Sequence, residues 1–268
     1  KGAEVIGMLK LLVGDEAYSK ALDLYFDRHD GQACTIEDWL QVFEDTTGRD
    51  LAQFKRWYSQ AGTPLLSVTE SWDHGTLTLH FKQHTPASDA TTDPQPHVLP
   101  IAVGLIGQDG DEVEETTVLE MTQAEQSFVF DGLGTRPVAS VLRGFSAPVI
   151  LTQDLSDADR AHLLAHDTDP FNRWEQGRML AYGSLLGMIR EGKAPNKDWL
   201  AGIRAVIGDE TLDPTLSMPP PRQPAPRWQR LLPICCRRSI AVTRSTLRLN
   251  PTRNKRASGR CPMLRCPC

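Results

Sequence analysis

Residues 66–81 read LSVTESWDHGTLTLHF and contain the clearest pattern in the chain. Apolar and polar residues alternate on both sides of Asp73-His74-Gly75. Alternation is typical of a half-buried strand, because successive side chains of a strand point to opposite faces. Two such runs joined by a short turn that contains glycine are typical of a β-hairpin. The stretch therefore predicts the first two strands of an antiparallel sheet.

Alternating runs continue downstream of this hairpin. A polar loop is expected at residues 85–97, and Asp109-Gly110 and Asp131-Gly132 mark two further turns. Roughly seven short strands within about 90 residues are typical of an antiparallel β-sandwich. The further strands are expected at residues 98–106, 113–121, 126–131 and 138–143.

Helical patterns come before the sheet, in residues 2–60. Apolar residues recur there three and four positions apart, which is the spacing of one helix face. Gly14 and Gly48 are expected to end helices, Asp15 to cap the second one, and Thr35 with Asp38 to form a capping box. A fourth helix is predicted from four residues with the same spacing: Leu51, Phe54, Trp57 and Tyr58.

Helical patterns return after the sheet. Ser156 and Asn196 are predicted N-caps, since each precedes a run of residues with helical spacing. Breaks between helices are expected at Asp169-Pro170 and at residues 193–195. Helices, then strands, then helices predict a multi-domain α+β protein with three packing units.

The net charge of -5 is divided unevenly along the chain. Residues 1–218 hold all 34 acidic residues and 17 of the 29 basic ones, whereas residues 219–268 hold 12 basic residues, nine prolines and no acid. Because an acidic body repels a phosphate backbone, nucleic acid is not an expected partner. No run of about 18 apolar residues occurs, so no membrane span is expected. The basic segment has no periodicity and is predicted to be disordered.

The pair His162 and His166 is the nearest approach to a metal-binding motif. Histidines four positions apart share a helix face, but Leu163 stands where the HExxH motif of zinc peptidases has its general-base glutamate. We therefore favour surface or helix-packing roles for both histidines, and a metal site is the alternative.

Five of the six cysteines lie after residue 218, and Cys34 is the one cysteine of the acidic body. A single thiol suits a reducing compartment such as the cytoplasm. The spacings of Cys261, Cys266 and Cys268 match no common zinc site, so a chance cluster is favoured there. A nucleic-acid-binding arm has little support, because Trp228 is the segment's one aromatic residue.

Five stretches carry a resemblance to a known family: KGAEV at 1–5, YFDRHDGQA at 25–33, FEDTTGRDL at 43–51, FKRWYSQAGTP at 54–64 and HDTDPFNRWE at 166–175. They resemble the M1 family of zinc metallopeptidases, in its bacterial aminopeptidase N type. The resemblance covers roughly residues 1–218. It implies a hydrolase that removes N-terminal residues from peptides.

The resemblance also implies a division into domains. Residues 1–64 resemble the helical end of a thermolysin-like catalytic domain, and residues 65–151 a small Ig-like β-sandwich. Residues 152–218 resemble the start of a C-terminal α-helical array. Residues 219–268 depart from the family pattern, which motivates the hypothesis of a frameshifted end; a genuine basic tail is the alternative.

Family members bind one zinc through an HExxH helix and a downstream glutamate, and a tyrosine stabilises the oxyanion. In the family all of these residues precede the stretch that Lys1 opens. No catalytic, cofactor-binding or metal-binding residue is therefore expected in this chain. The resemblance implies a cytoplasmic, monomeric fragment that is inactive alone, with zinc and peptide substrates belonging to the full-length parent. A non-catalytic interaction module or a pseudogene product derived from the family are the alternatives.

Overall fold

Helices, strands and helices follow one another along residues 2–209, which are the residues that the structure, a computed structural model, describes. The first helices are α1 (Gly2–Val13), α2 (Asp15–His29), α3 (Ile36–Thr47) and the single turn α4 (Arg56–Ser59). Seven strands and a short 3-10 turn come next. The strands are β1 (Leu65–Asp73), β2 (Thr76–His84), β3 (Leu99–Ile106), β4 (Glu112–Met121), β5 (Glu125–Phe130), β6 (Val138–Val141) and β7 (Ile150–Gln153). The last helices are α5 (Asp157–His166), α6 (Pro170–Glu191) and α7 (Lys197–Gly208).

The helix ends follow the sequence signals, with one exception. The predicted capping box is confirmed: the Asp38 amide donates to the Thr35 hydroxyl at 3.2 Å, and the Thr35 amide donates to the Asp38 carboxylate at 2.9 Å. The prediction that Asp15 caps α2 is wrong. Gly14, at a φ of 81°, is the N-cap, and Asp15 is the first helical residue, where it pairs with Lys10 at 3.1 Å.

The predicted fourth helix is much shorter than its apolar spacing suggests. Leu51, Phe54 and Trp57 are buried as expected, but only Arg56–Ser59 is α-helical. The turns before it are tighter than an α-helix, because the Trp57 amide donates to the Phe54 carbonyl, three positions earlier, at 3.0 Å.

The strands form two sheets that pack as a sandwich. One sheet has the order β5-β2-β1-β7 and the other has the order β4-β3-β6. The predicted hairpin is β1–β2: Asp73 pairs with Thr76, and the two turn residues His74 and Gly75 both have positive φ. This is the geometry of a type I′ turn, whose twist matches that of the strands.

One strand departs from the predicted antiparallel pattern. β7 pairs with β1 in parallel, with Leu65 opposite Ile150, so the first sheet is mixed. Because the chain returns to this edge after the 3-10 turn Arg143–Phe145, the last strand enters in the same direction as β1. The Ile150 amide donates to the Pro64 carbonyl at 3.0 Å and fixes that entry.

A single apolar core joins the first helices to the sandwich. β3 is buried along its whole length, because it faces the other sheet on one side and is covered by elements such as α1 on the other. This explains its nearly continuous apolar sequence LPIAVGLI. The same core contains Val5, Met8 and Phe43 from the helices and Leu77 and Leu99 from the sheets.

The last three helices pack against the sandwich where α5 meets β6. A second apolar cluster there joins β3 and β6 to α5 through Ile106, Val138, Leu155 and Leu163. Ser156 and Asn196 cap α5 and α7 as predicted, and Asp169 caps α6 with Pro170 in its first turn. Within residues 2–209, no helix combines the length and apolar character needed to cross a membrane. The predictions for residues 219–268, including the disordered tail and its cysteines, lie outside the described residues.

Candidate functional site

The predicted histidine pair lies on α5 against the turn between β3 and β4. The His162 ring donates from Nε2 to the Gly107 carbonyl at 2.7 Å, and the two histidine rings are 4.8 Å apart. His166 packs on Gly110, where any β-carbon would overlap its ring. Burial, His162 and Arg173 lower the pKa of His166. Both histidines therefore have packing contacts with the sandwich.

No metal-binding group forms around these histidines. Among residues 2–209, the structure brings together no three His, Cys, Asp or Glu side chains that could hold a metal ion. The described residues therefore do not fit a zinc site, which requires three or four converging ligands.

The most elaborate polar cluster surrounds Arg143, at the junction between the sandwich and the last helices. Its side chain is 3% exposed and pairs with Asp167, which is fully buried, at 2.9 Å. The guanidinium also pairs with Glu112 and donates to the hydroxyl groups of Thr116 and Ser140. Arg143 thus links β4 and β6 to the turn between α5 and α6.

Asp167 and Asp169 complete this junction from the helical side. Asp167 accepts from Ser140 at 2.6 Å, from Arg143, and from the Asp169 amide at 2.9 Å. Asp169 caps α6 through the Asn172 amide and accepts from the Gly144 amide at 3.0 Å. Burial raises the pKa of Asp167, while its bonds to Ser140 and the Asp169 amide and the charge of Arg143 oppose that rise.

This junction was not foreseen from the sequence, although one signal was present. Gly104 interrupts the apolar strand β3, and a β-carbon at that position would overlap the Arg143 guanidinium. Glycine inside a strand often marks the close approach of another group. The signal does not name the approaching residue, because Arg143 is 39 positions downstream.

The junction is built to hold two parts of the chain together. Arg143 pairs with both Glu112 and Asp167, and the side chains of Arg143 and Asp167 are buried. Buried ion pairs of this kind fix geometry, since removing one partner leaves an uncompensated charge in a low-dielectric interior. The arrangement supports a structural role for the cluster.

Comparison with known proteins gives two family matches. A model described as a domain of unknown function with an Ig-like fold, DUF3458, matches residues 62–154. A second, DUF3458_C, described as ARM repeats, matches residues 157–219. These matches agree with the sandwich and with the helical region that follows it.

Several of the relatives are named aminopeptidase N. Aminopeptidase N of Escherichia coli (strain K12) is 38% identical over 231 residues, which are 81% of this chain and 27% of that protein. Aminopeptidase N of Caulobacter vibrioides is 43% identical over 199 residues, which are 74% of this chain and 23% of that protein. The crystal structure of Legionella pneumophila aminopeptidase A in complex with aspartic acid matches with a TM-score of 0.71 and 28% identity, over 80% of this chain and 25% of that one.

The fold and these relatives define the chain as a homologue of aminopeptidases. More narrowly, its relatives of 38–43% identity are bacterial aminopeptidases N. It spans about a quarter of the length of the curated relatives it matches.

Proposed function

We propose that the chain is a non-catalytic segment of a zinc metallo-aminopeptidase that releases N-terminal residues from peptides. The observation that carries this proposal is the identity of 38–43% to aminopeptidases N over most of the chain. The described residues do not supply a zinc site, so the metal and the groups that activate water would belong to the remainder of the enzyme. Zinc would act there as a Lewis acid and activate the attacking water.

We propose the following division of the chain. Residues 1–64 would be the helical end of a thermolysin-like catalytic domain, residues 65–151 the Ig-like sandwich and residues 152–218 the start of the C-terminal helical array. The change from α4 to β1 after Ser59 supports the first boundary. β7 runs to Gln153, so the second boundary is better drawn between β7 and α5.

The role of the segment in the enzyme would be to connect the catalytic domain to the C-terminal helices and to fix their relative orientation. The first helices share one core with the sandwich, and the Arg143 junction joins the sandwich to α5 and α6. A rigid connector of this kind would hold the C-terminal helices at a fixed position relative to the catalytic domain. We also propose peptides as the substrates of the whole enzyme, a monomeric state and a cytoplasmic location.

An activity assay of the purified 268-residue chain tests the assignment. We expect no release of p-nitroaniline from alanyl-p-nitroanilide, with or without added zinc, while E. coli aminopeptidase N serves as the positive control. Circular dichroism would first establish that the chain is folded. Zinc-dependent hydrolysis that co-purifies with the chain and is abolished by a chelator would overturn the non-catalytic assignment.

A further inference from the structure

Two cavities adjoin each other along α1. The first has a volume of about 470 Å³ and lies between α1, at Gly7, Met8 and Leu11, and the segment Gly144-Phe145-Ser146. The second has a volume of about 410 Å³ and is lined by Trp57, Gly62, Thr63, Pro148 and Val149. Glu4 and Phe145 line both cavities. The two cavities share these two lining residues, and we refer to them together as the groove.

Phe145 is presented to this groove by a strained backbone. Its φ is 56°, and Leu142, three residues earlier, has a φ of 63°. The left-handed region is unfavourable for a residue other than glycine, so such residues persist only where their surroundings enforce the conformation. Here the conformation is held by two hydrogen bonds: the Arg143 side chain donates to Asp167, and the Gly144 amide donates to Asp169.

The result of this strain is an aromatic ring that is not fully buried. Phe145 is 38% exposed, although its ring packs on Phe171 with the centroids 5.3 Å apart. A strained backbone that holds a large apolar side chain at the surface is more typical of a contact site than of a core.

Glu4 gives the groove a charge. Within residues 2–209 its carboxylate has no hydrogen bond or ion pair, whereas the other charged residues of the groove, Lys10 and Asp15, pair with each other at 3.1 Å. The groove therefore combines a free carboxylate, an accessible aromatic ring and apolar walls. These features complement a cation that is flanked by apolar groups.

We propose that this groove binds an extended peptide in which a lysine or arginine side chain lies between two apolar side chains. In an extended peptide, side chains at alternate positions point to the same side. The central cation would lie between the Glu4 carboxylate and the Phe145 ring. The flanking apolar side chains, two positions away on each side, would enter the two cavities. This proposal goes beyond the proposed aminopeptidase role and does not depend on it.

Titration of the full chain with a blocked pentapeptide tests the proposal. The probe is N-acetylated, C-amidated Leu-Ala-Lys-Ala-Leu with a fluorophore at its C-terminal end, followed by anisotropy in a buffer with chelator. We expect saturable binding that weakens with salt, and binding at least about fivefold weaker for the peptide with Glu in place of Lys. Because the probe has no free N-terminal amine and the buffer no metal, the result is independent of aminopeptidase activity.

Three variants locate the binding. Glu4→Gln should weaken binding about fivefold, and Phe145→Leu, which keeps an apolar side chain, about threefold. Glu16→Gln on α2, whose carboxylate pairs with Lys20 outside the groove, is the matched control and should bind as the parent chain does. The proposal is overturned if the folded parent does not bind, if the Lys and Glu peptides bind equally, or if Glu4→Gln has no effect. Self-association of the chain that Glu4→Gln abolishes would also overturn it, in favour of a second copy as the occupant.

Discussion

Replacing Arg143 with methionine should destabilise the folded chain strongly. Methionine keeps an unbranched apolar stem but removes the guanidinium that pairs with Asp167 and Glu112. Asp167 is fully buried, so the variant leaves a carboxylate without its cation in the interior. Breaking a buried pair in this way costs about 3–5 kcal/mol.

Two features of the structure place the expected loss near the lower end of that range. Asp167 keeps its bonds from Ser140 and the Asp169 amide when Arg143 is removed. Its pKa is already raised by burial, so it can take up a proton in the variant instead of staying charged. We therefore expect the free energy of unfolding to fall by about 3 kcal/mol at pH 7.

Urea unfolding of the two proteins provides the assay, with the loss read from the shift of the midpoint at an unchanged slope. Arg136→Met is the matched control, because Arg136 pairs with Glu70 but is 41% exposed, and its loss should cost below about 1 kcal/mol. The junction would have no special role if Arg143→Met cost no more than this control.

Three further substitutions test other parts of the structure. Leu77→Ala removes a fully buried side chain of the sandwich and should lower the free energy of unfolding by about 2–5 kcal/mol in urea titrations; a loss below about 1 kcal/mol would contradict the packing. Gly104→Ala should displace the Arg143 guanidinium and so lower the free energy of unfolding. This loss should largely disappear when Gly104→Ala is combined with Arg143→Met, and fully additive losses would count against the contact. The lowered pKa of His166 means that the unfolded chain takes up a proton first, so stability should fall as the pH drops through the unfolded value of about 6.5. His166→Gln should reduce this slope in unfolding midpoints measured between pH 7.5 and 5.5, and an unchanged slope would refute the assignment.

Local signals in the sequence were sufficient for most elements. The Asp73-His74-Gly75 turn and the capping box at Thr35 each involve residues within four positions of one another, and the structure confirms both. The same holds for the N-caps Ser156 and Asn196. In each case the groups that bond are close along the chain, so the pattern and the physical cause coincide.

The structure differs from the sequence predictions where contacts join residues far apart in sequence, and in the length of the short helix α4. The parallel pairing of β7 depends on Pro64, some 86 positions before Ile150, and the four residues of this strand are too few to show a period. The Arg143 junction joins β4, β6 and the turn before α6, and no local pattern marks an arginine as buried. α4 is short because the turns before it close with hydrogen bonds between residues three positions apart, which the apolar spacing does not distinguish from an α-helix.

A chimaeric enzyme tests the connector role most directly. Residues 2–209 of this chain would replace the homologous segment of E. coli aminopeptidase N, and hydrolysis of alanyl-p-nitroanilide would be measured with and without a chelator. We expect zinc-dependent activity in the chimaera, and a lower kcat when Arg143→Met is added but not when Arg136→Met is added. A chimaera that folds, binds zinc and yet has no activity would contradict the assignment of this chain as an interchangeable part of an aminopeptidase.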